Sequence, residues 1–255
     1  MNKIYLSFLI ILFLGLVIRL YRINIPLLEF YPSRQIQTAD IARNFLRSNL
    51  NIFNPTVSYF GPGYTPFLIE FPGYNYAVAI LYSIFGIHDV IGRYFSLVGW
   101  IISLILIYKI ALKISSRTAA NIAALFYCLS PLSILISRSF QPDQWMLTFS
   151  LASIYSALLL QGRKWFYFYL SAIFASISIL IKLPSLIFTL IPILYLILKS
   201  RKDLFKLHNY SYLIIALLPT VMWFLYAYFR NQAGLPTSGN FSLSNWFGFE
   251  VFLNP

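Results

Sequence analysis

The chain is poor in almost everything a soluble enzyme draws on. It has a single cysteine, Cys128, which sits inside an apolar run. That excludes a disulfide framework and any cysteine-based metal site. It has two histidines, His88 and His208, and seven carboxylates among 255 residues. Charged residues amount to 10% against 59% hydrophobic, where a soluble domain carries about 25% and 45–50%. No soluble core of this length hides so much apolar surface, so the bilayer must be the solvent. No internal repeat is visible.

The net charge of +12 invites a nucleic-acid reading, which the distribution of charge excludes. The basic residues lie between apolar runs and form no basic domain, as anionic lipid and the positive-inside bias predict. At the N-terminus, Lys3 precedes an apolar run with no small-residue cleavage site, closed by Arg19-Leu-Tyr-Arg22. It reads as an uncleaved signal-anchor helix.

The expected fold is all-α and transmembrane, with about seven spans: Ile4–Leu20, Tyr94–Leu112, Ala119–Ile136, Gln144–Leu160, Trp165–Ile181, Leu183–Leu198 and Tyr210–Phe229. The apolar stretch Tyr76–Ile87 is too short to span and reads as an interfacial helix. With the N-terminus inside, the short turns Lys109–Arg117, Arg163-Lys164 and Lys199–Lys206 are cytoplasmic and basic, holding one acid, Asp203. The other six acids (Glu29, Asp40, Glu70, Asp89, Asp143, Glu250) then lie outside. So do nine basic residues: Arg19, Arg22, Arg34, Arg43, Arg47, Arg93, Arg138, Lys182 and Arg230. Any one of these bases can snorkel to head groups. Their gathering on one face with the acids suggests a lipid-phosphate site.

The long external loop, residues 22–93, is expected to contain a helix, Gln35–Arg47. Gln37, Asp40, Asn44 and Arg47 make its polar stripe, and Ile36, Ala39 and Leu46 its apolar one. A turn-rich stretch, Asn54–Pro66, follows. Then Glu70-Phe71-Pro72 opens the interfacial helix, with proline suited to a first turn.

Six runs in order carry a family resemblance: RLYRIN at 19–24, RQIQTADIARNF at 34–45, EFPGYNYAVAILYSIFG at 70–86, IGRYFS at 91–96, LSPLSILISRSFQPD at 129–143 and IKLP at 181–184. Together they resemble the C-type-fold polytopic glycosyltransferases of the protein O-mannosyltransferase and aminoarabinose-transferase superfamily (family 39-like). The resemblance implies a membrane-embedded, multi-pass enzyme, in the plasma membrane with its active face external. It implies sugar transfer from a polyprenyl-phosphate donor to a protein, lipid or polysaccharide acceptor, with membrane lipid as surroundings and no nucleic-acid partner. It covers residues 1–230 as the membrane unit and leaves 231–255 as an external tail. Relatives continue further, so a truncated chain is expected. The acid such relatives carry before the loop helix is missing here, where the sequence reads Arg34-Gln35-Ile36-Gln37.

Such chemistry needs a carboxylate to take the acceptor's proton and fixed cations to hold the departing phosphate. The candidate carboxylates are Glu70, Asp143 and Asp40. Asp143 also suits a helix N-terminus, Glu70 a cap, and Asp40 a pair with Arg43 on its own helix. The candidate phosphate ligands are Arg34, Arg93, Arg138 and Lys182. No cofactor is implied with certainty. His88 and His208 face opposite sides and form no metal pair, while a divalent ion at the external carboxylates stays open. Two other functions compete: a flippase for lipid-linked saccharides, which would need discontinuous helices and mid-membrane polar groups, and a non-catalytic lipid-binding unit.

The topology has a direct test. Cysteines introduced as Ser115→Cys and Ser200→Cys should resist an impermeant thiol reagent in intact cells, while Ser58→Cys should react. Labelling of Ser115→Cys but not Ser58→Cys would invert the topology.

Overall fold

The computed structural model describes residues 3–48, 50–58, 63–160, 165–199 and 207–232. The expected turns at 163–164 and 200–206 lie outside these residues. So does the expected tail, apart from its first two positions. The described residues form ten α-helices, one 3-10 turn and a minimal β-ribbon.

The first helix, α1 (Lys3–Leu20), is followed by an irregular stretch leading to α2 (Pro32–Arg47). Pro32 occupies the first turn of α2, where a missing N–H costs nothing. Strands β1 (Thr56–Val57) and β2 (Thr65–Pro66) pair antiparallel, Thr56 opposite Pro66. An all-α reading had no place for this ribbon, which uses the turn-rich stretch. Next comes α3 (Gly73–Phe85), ended by Gly86 at φ 82, a left-handed conformation that suits glycine. A helix is expected here at Tyr76–Ile87, and α3 begins and ends slightly earlier.

The long apolar helix α4 (Asp89–Ile114) begins five residues before its expected start, so Arg93 lies within it. Then α5 (Arg117–Leu129) opens with the Ser116 hydroxyl accepting from the Ala119 N–H at 3.3 Å. The expected span Ala119–Ile136 is broken at Ser130, and α6 (Pro131–Arg138) leaves at 61° to α5. Pro131 has no N–H to give and crowds the preceding turn, so the helix cannot continue straight. The last helices are α7 (Asp143–Leu158), α8 (Trp165–Ile181), α9 (Leu186–Lys199) and α10 (Leu207–Gln232). Lys182 is extended (φ −149) and Leu183–Ser185 forms the 3-10 turn, which separates α8 from α9.

The span count needs correction. Among the described residues, two helices are long and apolar enough to cross a bilayer: α4 and the segment Tyr210–Arg230 of α10. The bent pair α5–α6 makes a third if counted as one span. Leu6–Leu20, Trp165–Ile181 and Leu183–Tyr195 are apolar but shorter. The reason is local: Pro131 breaks one apolar run that composition alone reads as continuous, and α7, α8 and α9, at 16, 17 and 14 residues, fall short of the roughly 20 that cross a bilayer. In α7, Gln144, Thr148, Ser150, Ser153 and Ser156 all turn inward.

Those inward polar groups pack the bundle. Ser150 meets Ser178 at 2.7 Å, and Ser153 bonds the Ser171 carbonyl at 3.0 Å. Tyr212 of α10 reaches Ser171 at 3.1 Å. Small hydroxyl side chains let α7 and α8 approach closely while satisfying each other. A second core surrounds Trp100, with Leu97, Leu104, Ala120, Ala124 and Cys128. Gly15 faces it, and a Cβ there would lie 2.5 Å from the Trp100 ring.

Arg19 joins four helices. It is completely buried, with its guanidinium 3.8 Å above the Trp100 ring centroid. Its Nε donates to Ser137 Oγ at 2.8 Å and Nη2 to Ser133 Oγ at 2.9 Å. Its Nη1 donates to the Gly15 and Cys128 carbonyls at 3.2 and 3.0 Å. The Cys128 carbonyl belongs to the helix turn that Pro131 interrupts, so Arg19 supplies a donor that the backbone withdrew.

The loop of residues 22–93 forms a layer over one end of the bundle. Tyr74 Oη donates to the Gly92 carbonyl at 2.7 Å, Leu68 packs on Trp223, and Tyr226 Oη donates to the Phe53 carbonyl at 2.8 Å. Burial pushes the Tyr74 phenol up, well above the ordinary tyrosine range, so it remains a neutral donor.

Replacing Arg19 removes donors from four acceptors that water cannot reach. Arg19→Met should therefore cost on the order of 2–4 kcal/mol, seen as a lower Tm in detergent. Arg19→Lys should not restore it, because one ammonium cannot span the same acceptors. An unchanged Tm in Arg19→Met would contradict this role.

Candidate functional site

Two carboxylates meet two cations where the loop layer covers the bundle. Glu70 lies just before Phe71-Pro72 and the start of α3, and it pairs with Arg34 in the first turn of α2. Asp143 opens α7, where the helix dipole favours an anion, and its Oδ1 lies 2.5 Å from Lys182 Nζ. Lys182 reaches it because the 3-10 break releases that residue from helical geometry. Asp143 Oδ2 is buried and has no hydrogen-bond partner. The four side chains are 31% (Arg34), 27% (Glu70), 25% (Lys182) and 20% (Asp143) exposed. They are shielded enough for charge to matter, yet open to a ligand.

Glu70 lies between two cavities. One has a mixed lining, with Arg34, Gln37, Thr38 and Asn75 beside Glu70 and an apolar part that includes Ile41, Phe67 and Phe71. The other, of 140 Å³, places Glu70 and Lys182 among Leu180, Leu183, Pro184 and Phe224. The first offers amides and a hydroxyl, groups suited to polar ligands. The second combines one cation with an apolar wall.

Of the residues expected at the site, Glu70, Asp143, Arg34 and Lys182 are brought together. Asp40 is not. Its Oδ2 accepts from the Ser58 N–H at 2.7 Å and its Oδ1 from Ser58 Oγ at 3.0 Å, which anchors the chain after β1. Arg93 is also elsewhere: it is buried, and donates to the Ile23 and Pro26 carbonyls at 2.7 and 3.0 Å. Because α4 starts early, that side chain lies inside the fold and ties down the chain after α1. Arg138 lines a separate cleft with Glu29, 3.8 Å away, and Gln35; Lys182 is not among its walls.

The loop helix is rotated from the stripe expected for it. Ile36 is 47% exposed, while Gln35 and Asn44 are buried. Gln35 donates to the Glu29 and Phe30 carbonyls and accepts from the Phe140 N–H; Asn44 donates to the Thr56 carbonyl and Ser58 Oγ. Each satisfies backbone groups that sheets and helices leave unpaired. Asn75, which donates to the Thr38 carbonyl at 2.8 Å, locks α3 to α2 behind Glu70. Nothing in a hydropathy pattern marks these amides. Arg43 pairs with Asp89, which joins α2 to α4. Among the described residues, no three His, Cys, Asp or Glu side chains cluster in a way that could hold a metal.

The fold has counterparts. ArnT from Cupriavidus metallidurans, in its apo state and bound to undecaprenyl phosphate, superposes with a TM-score of 0.65 over 88% of this chain at 16% identity. An uncharacterised protein of Aquifex aeolicus (strain VF5) is 26% identical over 221 residues, 83% of this chain. The chain spans 42% of the length of each of these relatives. Fold likeness, apolar helices and family together make it a membrane protein. The family model for dolichyl-phosphate-mannose-protein mannosyltransferase matches residues 66–231, more than half of the sequence and all of the segment from Glu70 through Asp143 to Lys182, and the chain belongs to that family.

Proposed function

We propose that this chain carries the donor side of a glycosyl transfer, moving a sugar from a polyprenyl-phosphate carrier to an acceptor hydroxyl on the outer face of the membrane. The observation that carries this reading is the position of Glu70 between a mixed-lined cavity with Arg34, Gln37, Thr38 and Asn75 and an apolar, lysine-bearing one. Family membership supports it. So does the fold likeness to a protein solved with undecaprenyl phosphate. On this reading the chain is multi-pass, residues 1–230 act as one unit, and the layer of residues 22–93 is external.

The residues divide the work by their chemistry. Lys182 and Arg34 hold the phosphate, and Leu180, Leu183, Pro184 and Phe224 line the path of the first isoprenoid carbons. Gln37, Thr38 and Asn75 face the sugar or the acceptor. During transfer the bond between the anomeric carbon and the phosphate oxygen breaks, the acceptor oxygen bonds to that carbon, and its proton goes to a carboxylate. Glu70 fills that role. When phosphate enters, Arg34 exchanges its carboxylate partner for the phosphate and leaves Glu70 facing the hydroxyl. Asp143 orients Lys182, and its unpartnered oxygen is open to the donor. The positive charges stabilise the leaving phosphate more than the intact donor, which is what lowers a barrier.

Discontinuous helices at Ser130 and Lys182 are also what a flippase would use. The first break is closed by Arg19, however, and offers no path.

Glu70→Gln and Asp143→Asn keep shape and remove charge. Each should reduce sugar transfer from a radiolabelled polyprenyl-phosphate donor by about a hundredfold or more, with folding confirmed by gel filtration. Wild-type rates in both folded variants would overturn the assignment. A wild-type protein that binds the donor but transfers nothing would point to a lipid-binding unit instead.

A further inference from the structure

Positive charge accumulates at the junction of α1 and α6, away from Glu70 and Lys182. Arg138 is close enough to Arg19 and Arg93 to repel both. Arg19 is held by neutral carbonyl and hydroxyl oxygens, which satisfy its hydrogen bonds without cancelling its charge. Arg93 is held by two carbonyls, and Glu29 and Asp89 also attract it. Arg22 adds a further charge: it is exposed, at φ 53, and its carbonyl accepts from Arg138 Nη2 at 3.4 Å. Against these four cations, the carboxylate paired with Arg138 is that of Glu29, at the long distance of 3.8 Å. Arg138 Nε is buried without a hydrogen-bond partner. The Arg138 side chain lines a cleft with Glu29, Phe30, Gln35, Leu135 and Ser139. Apolar side chains are exposed on α1, on α6 and on the stretch that follows α1, with Leu20 at 45%, Tyr21 at 69%, Leu28 at 72% and Leu132 at 58%.

Unbalanced guanidinium charge beside a low-dielectric surface attracts an anion, and the guanidinium fork matches phosphate oxygens. The apolar rim says what else that anion carries. We propose that Arg22 and Arg138 form a second site, separate from the donor site, for the phosphate of an anionic glycerophospholipid whose acyl chains lie along the exposed faces of α1 and α6. The working carboxylates Glu70 and Asp143 do not line this cleft, so the lipid here is held and not transformed. The proposal does not depend on sugar transfer.

The test uses the full chain purified in detergent, with retained lipid counted by native mass spectrometry after addition of phosphatidylglycerol or phosphatidylcholine. Wild type should retain phosphatidylglycerol about tenfold better than phosphatidylcholine. Arg22→Gln, at an exposed position that leaves folding intact, and the double variant Arg22→Gln/Arg138→Gln should lower that retention by about tenfold; Lys182→Gln should leave it unchanged. Equal retention of phosphatidylglycerol by wild type and Arg22→Gln would overturn the site. Displacement by undecaprenyl phosphate would make it a donor site instead, and displacement by inorganic phosphate would make it a site for the free anion.

Discussion

A charge removed from water must find a partner or be expelled, and this protein is arranged around that constraint. Its buried guanidiniums are placed where the backbone has oxygens to offer. Arg19 takes the carbonyl released at the α5–α6 break and two serine hydroxyls of α6. Arg93 takes the carbonyls of Ile23 and Pro26 just after α1. The half-buried charges pair instead with acids: Arg34 with Glu70, Arg43 with Asp89, Lys182 with Asp143. Each of these contacts joins elements far apart in sequence. Together they fix the loop layer on the bundle, and so fix Glu70 and Asp143 relative to the helix break that carries Lys182.

The bundle beneath supplies rigidity of another kind. Serines at the α7–α8 contact and the Tyr212 hydroxyl replace the hydrophobic drive that is missing between helices surrounded by lipid. They also fix the register of α8, at whose end Lys182 emerges. The break at Leu183–Ser185 is therefore a positioned feature. Shifting α8 by one residue would turn Lys182 away from Asp143 by about 100°.

Much of this was legible from residues alone, for particular reasons. Trp165–Ile181 was bounded to the residue because aromatic and apolar side chains fill it and Lys182-Leu-Pro184 ends it. Glu70, Asp143 and Lys182 came to notice through flanking runs that resemble the family, and the structure places them and Arg34 around two adjoining cavities. Span number was overestimated because apolar runs shorter than a bilayer needs were counted as spans and a hydropathy run does not register Pro131 as a break. Arg93 was misplaced because its helix begins at Asp89, inside a segment that looks like a loop. The partners of Asp40, Gln35 and Asn44 lie 5 to 105 residues away, and nothing local encodes that.

What remains is a site with two cavities meeting at one carboxylate, in a chain that belongs to a family of sugar transferases and spans part of its relatives' length. The apolar cavity is the most specific element, because Lys182 opposes Glu70 at the edge of an aliphatic wall. A photoreactive polyprenyl phosphate with its label on the first isoprenoid unit examines that claim directly. Adducts mapped by peptide mass spectrometry should fall on Leu180, Leu183, Pro184 and Phe224, and excess unlabelled polyprenyl phosphate should abolish them. Adducts confined to Leu135 and the α1–α6 cleft, with none beside Lys182, would contradict the account.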